Sequence, residues 1–264
     1  MNTRRTNAKI GLVVAVAAGA CALFGGARLA LSRATTTVGS TSLEARRPGR
    51  LDPQLHVPHV SEPIRIDAEM DGKKVWESAA GSTLNLKDSA GKGMVPYTEV
   101  KARWGDGKLY FLLYAGDLDL EGNVTQADGP VSKDDSFHIE LGGRGGPLRV
   151  VEVSVLGTVA DALCPPSENS PVPADVHNRS CDRTWQSHAA VAVDRDGTLN
   201  RLGDNDEEWV VEMALPLSAL DIPDARPGSR IPFAVRRCEV GAGGPGACGS
   251  WGMGAERGEL ILDP

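Results

Sequence analysis

Short β-type stretches, several of them alternating apolar and polar residues, recur from residue 62 to the C-terminus, and a two-residue period suits half-buried strands and little else. They fall at 64–67, 99–104, 108–115, 136–141, 149–156, 189–193, 209–215, 231–238 and 259–262, punctuated by Gly, Asp, Asn and Pro. Alternation assigns faces. Phe137, Ile139 and Leu141 share one side of their strand and Ser136, His138 and Glu140 the other, while Trp209, Val211 and Met213 oppose Glu212. Helical periods are confined to 73–79 and 217–220, about a turn each. The pattern predicts an all-β fold, an antiparallel β-sandwich of jelly-roll or immunoglobulin-like type, without internal repeats or a mid-body linker.

The N-terminus reads differently. Arg4, Arg5 and Lys9 precede the apolar run 10–24, the layout of an export signal. It is cleaved near 18–20 or near Ala34, or it stays as an anchor, since the run through Gly26 reaches the short limit of a spanning helix. Cys21 after small residues permits a lipoprotein reading, the least favoured because Ala18 stands where Leu is usual. Residues 34–61, rich in Thr, Ser and Pro, read as a flexible linker. The expected organisation is a signal peptide or signal anchor at 1–33, the linker at 34–61 and one sandwich domain at 62–264. The body is expected outside the cytoplasm, as a secreted, periplasmic or cell-surface protein, touching a membrane only through an uncleaved N-terminal segment.

Cys164, Cys181, Cys238 and Cys248 suit two disulfides in an oxidising compartment. Three pairings are open, and the local one, Cys164 with Cys181 and Cys238 with Cys248, is favoured because both intervals are Pro- or Gly-rich. Zinc fails on spacing, for there is no C-x-x-C.

Charge excludes one class of partner. The net −7 divides into +7 on residues 1–50, where eight Lys/Arg face Glu44 alone, and −14 on the remaining 214 residues. Such a body lacks the positive field that nucleic acid requires. Catalytic signatures are equally weak. C-G-S-W-G at 248–252 misses the nucleophile elbow by its first residue, and the Gly-rich stretches 142–146 and 241–246 lack the Lys-Ser/Thr of a phosphate loop. The expectation is a protein that is not an enzyme.

Six stretches in order carry a resemblance: I-D-A-E-M-D-G-K-K-V-W (66–76), G-K-L-Y-F-L-L-Y-A-G-D-L-D (107–119), K-D-D-S-F-H-I-E-L (133–141), W-V-V-E-M-A-L-P-L-S-A-L (209–220), P-G-S-R-I-P-F-A-V-R-R (227–237) and S-W-G (250–252). Together they resemble the family 9 carbohydrate-binding modules and their DOMON-like relatives, over nearly all of 62–262. The chain departs from that pattern at Ala68, where the family usually has Gly, and in the Pro-rich stretch 164–181, which looks like an insertion.

The resemblance implies a non-catalytic β-sandwich that stacks sugars on aromatic rings, often holds calcium, and is linked to polysaccharide degradation through the hydrolases that carry such modules. Aromatic faces suit the C–H faces of a sugar. Trp76, Trp209 and Trp104 fall in strand or scaffold positions and are expected in the core. Trp185 and Trp251, in loops, are the expected ligand contacts, with Tyr110 and Tyr114 on one strand face as a possible floor. For calcium, Asp117, Asp119, Glu121, Asp134 and Asp135 supply hard oxygen ligands, an acidic solvated turn being the alternative. Two other readings use the same sandwich. One is a noncovalent haem-binding electron-transfer domain of the DOMON type, with His138, His188, Met94 and Met253 as available ligands. The other is a structural or adhesive surface protein.

Overall fold

Strands of alternating polarity bury their apolar side only when a second sheet closes over it, and two sheets do so here. A computed structural model describes residues 54–70, 73–77, 83–86, 97–143, 145–166, 176–177, 181–240, 247–253 and 257–264, all within the unit Arg50–Pro264. The expected signal segment lies outside the described residues.

In chain order the elements are β1 (Gln54–Val57), α1 (Lys74–Glu77), β2 (Thr83–Asn85), β3 (Thr98–Gly105), β4 (Lys108–Gly116), β5 (Ser136–Gly142), β6 (Leu148–Ser154), β7 (Val159–Cys164), β8 (Ala190–Asp196), β9 (Glu208–Pro216), β10 (Arg230–Glu239), β11 (Ala247–Trp251) and β12 (Gly258–Leu262). The first sheet runs β1-β12-β10-β5-β6-β7, with β11 also paired to β10; the second runs β2-β3-β4-β9-β8. Only β1 and β12 pair in parallel among these strands; the other ladders are antiparallel.

Local chemistry sets the tightest connection. Gly105 pairs with Lys108, leaving Asp106 and Gly107 as a two-residue hairpin loop, both at positive φ (48° and 67°), the conformation that Asp-Gly adopts most readily. Between the sheets lie Phe137, Ile139, Leu141, Trp209, Val211 and Met213, all essentially inaccessible to solvent. Phe111 stacks on Phe233 at 5.5 Å, and Phe137 meets Trp209 at 5.0 Å. The faces read from alternation are therefore the faces observed.

Two expectations about the chain's course are corrected. Pairing of β1 with β12 draws residues 54–57 of the expected linker into the first sheet. Residues 64–67 form no strand. They belong to an irregular cover over the outer face of the second sheet, where Ile64, Ile66, Met70 and Val75 pack around Trp76, Tyr110, Leu112, Val210 and Ala214. This second layer of burial explains why β4 and β9 read as almost continuous apolar runs.

Both disulfides join the local pairs, Cys164 to Cys181 and Cys238 to Cys248. The first tethers the long stretch after β7 to its own strand, seating Val176 against Val150, Ala160 and Ala162. The second crosses the β10–β11 ladder at directly opposed residues.

Candidate functional site

Glu212 faces outward from β9 yet is completely buried, because the cover folds onto it. Its carboxylate accepts hydrogen bonds from the backbone of Asp67 (2.8 Å) and Ala68 (3.0 Å), from Trp76 Nε1 (2.9 Å) and from Lys73 Nζ (2.7 Å). Lys73 also holds Asp67, and that hydrogen bond keeps the Asp67 carboxyl below the usual carboxylate range. A buried carboxylate is tolerable when so fully bonded. The I-D-A-E-M-D-G-K-K-V-W stretch is thus a clamp that fastens the cover, with Arg103 stacked over Trp76 at 5.8 Å.

Beside the Val176 cluster, the outer face of the first sheet is polar around His138. His138 on β5 is flanked by Glu152 (3.0 Å from Nδ1) and Glu140 (3.1 Å from Nε2), and Arg257 bonds Glu140 at 2.8 Å. Burial alone would push the imidazole pKa down; hydrogen bonds to the two carboxylates outweigh it and raise it to about 9. With both ring nitrogens engaged, His138 offers no lone pair to haem iron.

The acidic residues expected to hold calcium lie at one end of the sandwich. Asp117 accepts from Trp209 Nε1 (3.1 Å), from Arg237 (3.1 Å) and from the backbone of Asp119 (3.2 Å), with Asp117 and Arg237 both fully buried. Asp134 caps the backbone of Asn123 and Val124, each at 2.9 Å. Asp135 accepts from the backbone of Glu121 (2.6 Å) and Val240 (2.7 Å), and burial lifts its pKa to about 7. Hydrogen bonding to loop N–H groups therefore occupies three of the five. Among the described residues no three His, Cys, Asp or Glu side chains converge as a metal centre. Nearby, Asp119 Oδ1 is buried without a hydrogen-bond partner among the described residues, and Glu239 Oε2 lies 3.6 Å from the Arg237 guanidinium. Burial and the neighbouring charges of Asp119 and Asp117 raise the Glu121 pKa.

Aromatic surface appears where the cover stops. Across the outer face of the second sheet Glu99, Tyr114, Val210 and Asp194 stand in register. The Tyr114 hydroxyl donates to Glu208, and burial together with that carboxylate pushes its pKa up to about 12, so the phenol stays protonated. Tyr97 lies 5.9 Å from Tyr114, ring centre to ring centre, and is 50% exposed. Beside this pair a cleft of about 340 Å³ is lined by Ala68, Glu69, Met70, Asp194, Glu208 and Val210. Another open cleft, about 480 Å³, runs from His59 to Arg65 along the cover, but its Lys73 is committed to the clamp.

Comparison with solved structures follows this architecture. A candidate carbohydrate-binding protein from Bacteroides uniformis superposes with a TM-score of 0.55 at 13% identity, over 80% of this chain and 99% of the other. A family 9 carbohydrate-binding module (CBM9) from Caldicellulosiruptor kristjanssonii, solved with cellotriose, gives 0.51 at 16% identity over 80% and 93%; its glucose complex gives 0.51 at 16% over 80% and 95%. The fold is CBM9-like. No protein-family model and no curated protein matches the sequence.

Within this CBM9-like sandwich the expected contact residues separate. Trp251 is only 4% exposed, on β11 rather than in a loop, and packs on Phe233 at 5.8 Å. Glycine at 258 makes room for its indole: a Cβ there would stand 2.2 Å from Trp251 Cζ3. Tyr110, 1% exposed beneath the cover, is likewise sealed. Neither ring has a face for a ligand. Trp185 is part-buried against the main core, in the segment that leads from the Leu163–Asp182 bridge to Ser187, which is bonded to Asp161. Tyr114 is part-buried and bonded to Glu208 at the cleft's edge, and Tyr97, which sequence reasoning passed over, stands beside it. Its signal was faint, a single Tyr one residue before a strand.

Ala68 shows what the CBM9-like scaffold tolerates. It sits at φ 60°, in the left-handed region, with its methyl buried. Ala68→Gly is expected to raise stability by about 0.5–1 kcal/mol by relieving that strain. Urea denaturation checks it, and a loss of stability would count against the account.

Proposed function

We propose that this chain is an exported, non-catalytic carbohydrate-binding module whose sugar ligand stacks on the Tyr97–Tyr114 pair and hydrogen-bonds to Glu208, Asp194 and Glu69. The observation that carries the reading is the half-exposed Tyr97 ring beside part-buried Tyr114, whose hydroxyl meets Glu208 at the edge of a carboxylate-lined cleft. A sugar presents C–H faces to a ring and hydroxyl donors to acceptors at its rim, and this surface supplies both. The CBM9 modules solved with glucose and cellotriose support a saccharide as the ligand class. Two disulfides support a site outside the cytoplasm. Attachment to a membrane through the N-terminal run, and service in polysaccharide breakdown, belong to the same proposal.

The test is a glycan array followed by titration of the best binder. Tyr97→Ala is expected to weaken binding by roughly 10- to 100-fold, the loss of one stacked ring, without shifting the melting temperature. Trp185→Ala is the rival arm. Loss there with Tyr97→Ala unaffected would move the site to the β7 edge, and an array with no binder would end the reading.

Calcium enters on narrower ground. Asp119 Oδ1, buried without a hydrogen-bond partner among the described residues, and the carboxylates of Glu121 and Glu239, whose pKa its charge helps to raise, supply oxygen donors that backbone carbonyls and water complete in many calcium sites. Millimolar calcium is expected to raise the melting temperature by about 5–10 °C relative to chelator, as for an ion at about 100 times its Kd. Identical midpoints would remove the metal.

A further inference from the structure

From the charge of this cleft we infer that its ligand is a cationic, amino-bearing saccharide, such as a glucosamine oligomer, rather than a neutral glycan. The inference rests on the sugar-binding reading above and names the class of sugar. The cleft has space for a ligand, about 340 Å³, at the small end of the range for binding clefts. Tyr114, bonded to Glu208 and opposite Val210, borders it with an aromatic ring, and Tyr97 stands beside Tyr114. Three of its six lining residues, Glu69, Asp194 and Glu208, are acids and none is basic.

Three cations of the cover and this face are engaged by other groups. Lys73 is held by Asp67 and Glu212, Arg65 pairs with Asp67 at 2.8 Å, and Lys101 bonds the Trp76 carbonyl at 3.1 Å with Glu99 at 3.5 Å. Arg195, one residue from Asp194, turns its guanidinium to the Val155 carbonyl at 2.9 Å. Glu69 and Asp194 are exposed residues, and among the described residues the Glu208 carboxylate takes the Tyr114 hydroxyl alone.

A neutral sugar entering here would meet three negative charges without a positive group of its own. An ammonium substituent answers them by charge-assisted hydrogen bonds, and a cation beside a tyrosine face gains further attraction. The −14 carried by residues 51–264 adds a long-range field of the same sign. An oligolysine peptide would share the charge but presents no ring C–H face to a tyrosine, so the aromatic surface favours the saccharide over it.

Calorimetric titration of the full chain at about pH 5.5, where an alkylamine is protonated, uses four probes: tetrameric glucosamine, tetrameric N-acetylglucosamine, cellotetraose and tetralysine. The glucosamine tetramer is expected to bind at least about tenfold tighter than either neutral tetramer, with the preference shrinking in about 0.5 M salt. Asp194→Asn, at an exposed edge-strand position, is expected to bring the ratio of glucosamine to N-acetylglucosamine affinity toward one. Neutral tetramers binding as tightly as glucosamine would overturn the cationic preference and leave the sugar-binding reading intact. Tetralysine binding with no saccharide bound would replace both with a peptide site. No binding by any of the four would count against the sugar-binding reading itself, and the preference would fall with it.

Discussion

Replacing Glu212 with Leu is expected to lower the unfolding free energy by about 3–5 kcal/mol, the range for removing one partner of a buried charged network. The size follows from what the carboxylate holds. Four donors converge on it, the backbone N–H groups of Asp67 and Ala68, the Trp76 indole and Lys73. Leucine fills a similar volume but accepts nothing, so Lys73 keeps its charge under the cover with only Asp67 and the Arg65 carbonyl to accept from it. At about 2–4 °C per kcal/mol for a chain of this size, the midpoint drops by roughly 10 °C. Glu212→Gln, which keeps the shape and one good acceptor, should fall between the two. The cover also forms one wall of the proposed sugar cleft through Ala68, Glu69 and Met70. Loss of the clamp should therefore weaken ligand binding at temperatures where the sandwich itself remains folded. A Leu variant within about 1 kcal/mol of wild type would show that the clamp does not hold the cover.

Alkaline conditions are expected to remove about 3 kcal/mol of stability between pH 6.5 and pH 9, through His138. Its folded pKa, about 9, lies above the ordinary value of 6.5. The protonated ring is thus favoured by folding: the stabilisation is fully present below pH 6.5 and is lost as pH rises through 9. Glu140 and Glu152 bond the ring, Arg257 bonds Glu140, and Arg236 stands opposite it on β10. Asp135, pushed up to about 7, also loses stability with rising pH, but that contribution is complete near neutrality. Denaturant titrations at successive pH values between about 7 and 10 isolate the histidine. His138→Phe should flatten that slope, and an equal slope in wild type and variant would assign the loss elsewhere.

Much of the scaffold was legible because a strand's period is a property of adjacent residues. Phe137, Ile139 and Leu141 had to share a face whatever lay across from them, and the sandwich follows from needing a second apolar surface to meet them. Strands of weaker pattern escaped notice. β1, four residues ending just before Pro58, sits in a segment that otherwise reads as a tether, and β11 carries a glycine in A-C-G-S-W. Each forms a strand because a neighbouring strand supplies hydrogen bonds along its length.

The binding surface was less legible, for the same reason in reverse. Trp251 reads as an open-loop aromatic until Gly258, seven residues on, is seen to leave a space that its indole fills. Tyr110 and Tyr114 have the same face and nearly the same local sequence, yet the clamp on Glu212 pulls a lid over the first and stops short of the second. Likewise the acids of the 117–135 stretch had the composition of a calcium loop, while their hydrogen bonds to loop N–H groups depend on distant backbone such as Val240.

The amino-acid sequence by itself determined the strand character of β3 to β6, β8 to β10 and β12, the inward and outward faces, the local cysteine partners as the favoured pairing, and the acidity of the body. Only the tertiary structure decided which aromatic rings stay open, which carboxylates are engaged and where a cleft lies. Periodicity and charge are summed over neighbours in the chain, whereas exposure is set by whichever remote segment comes to rest on a side chain.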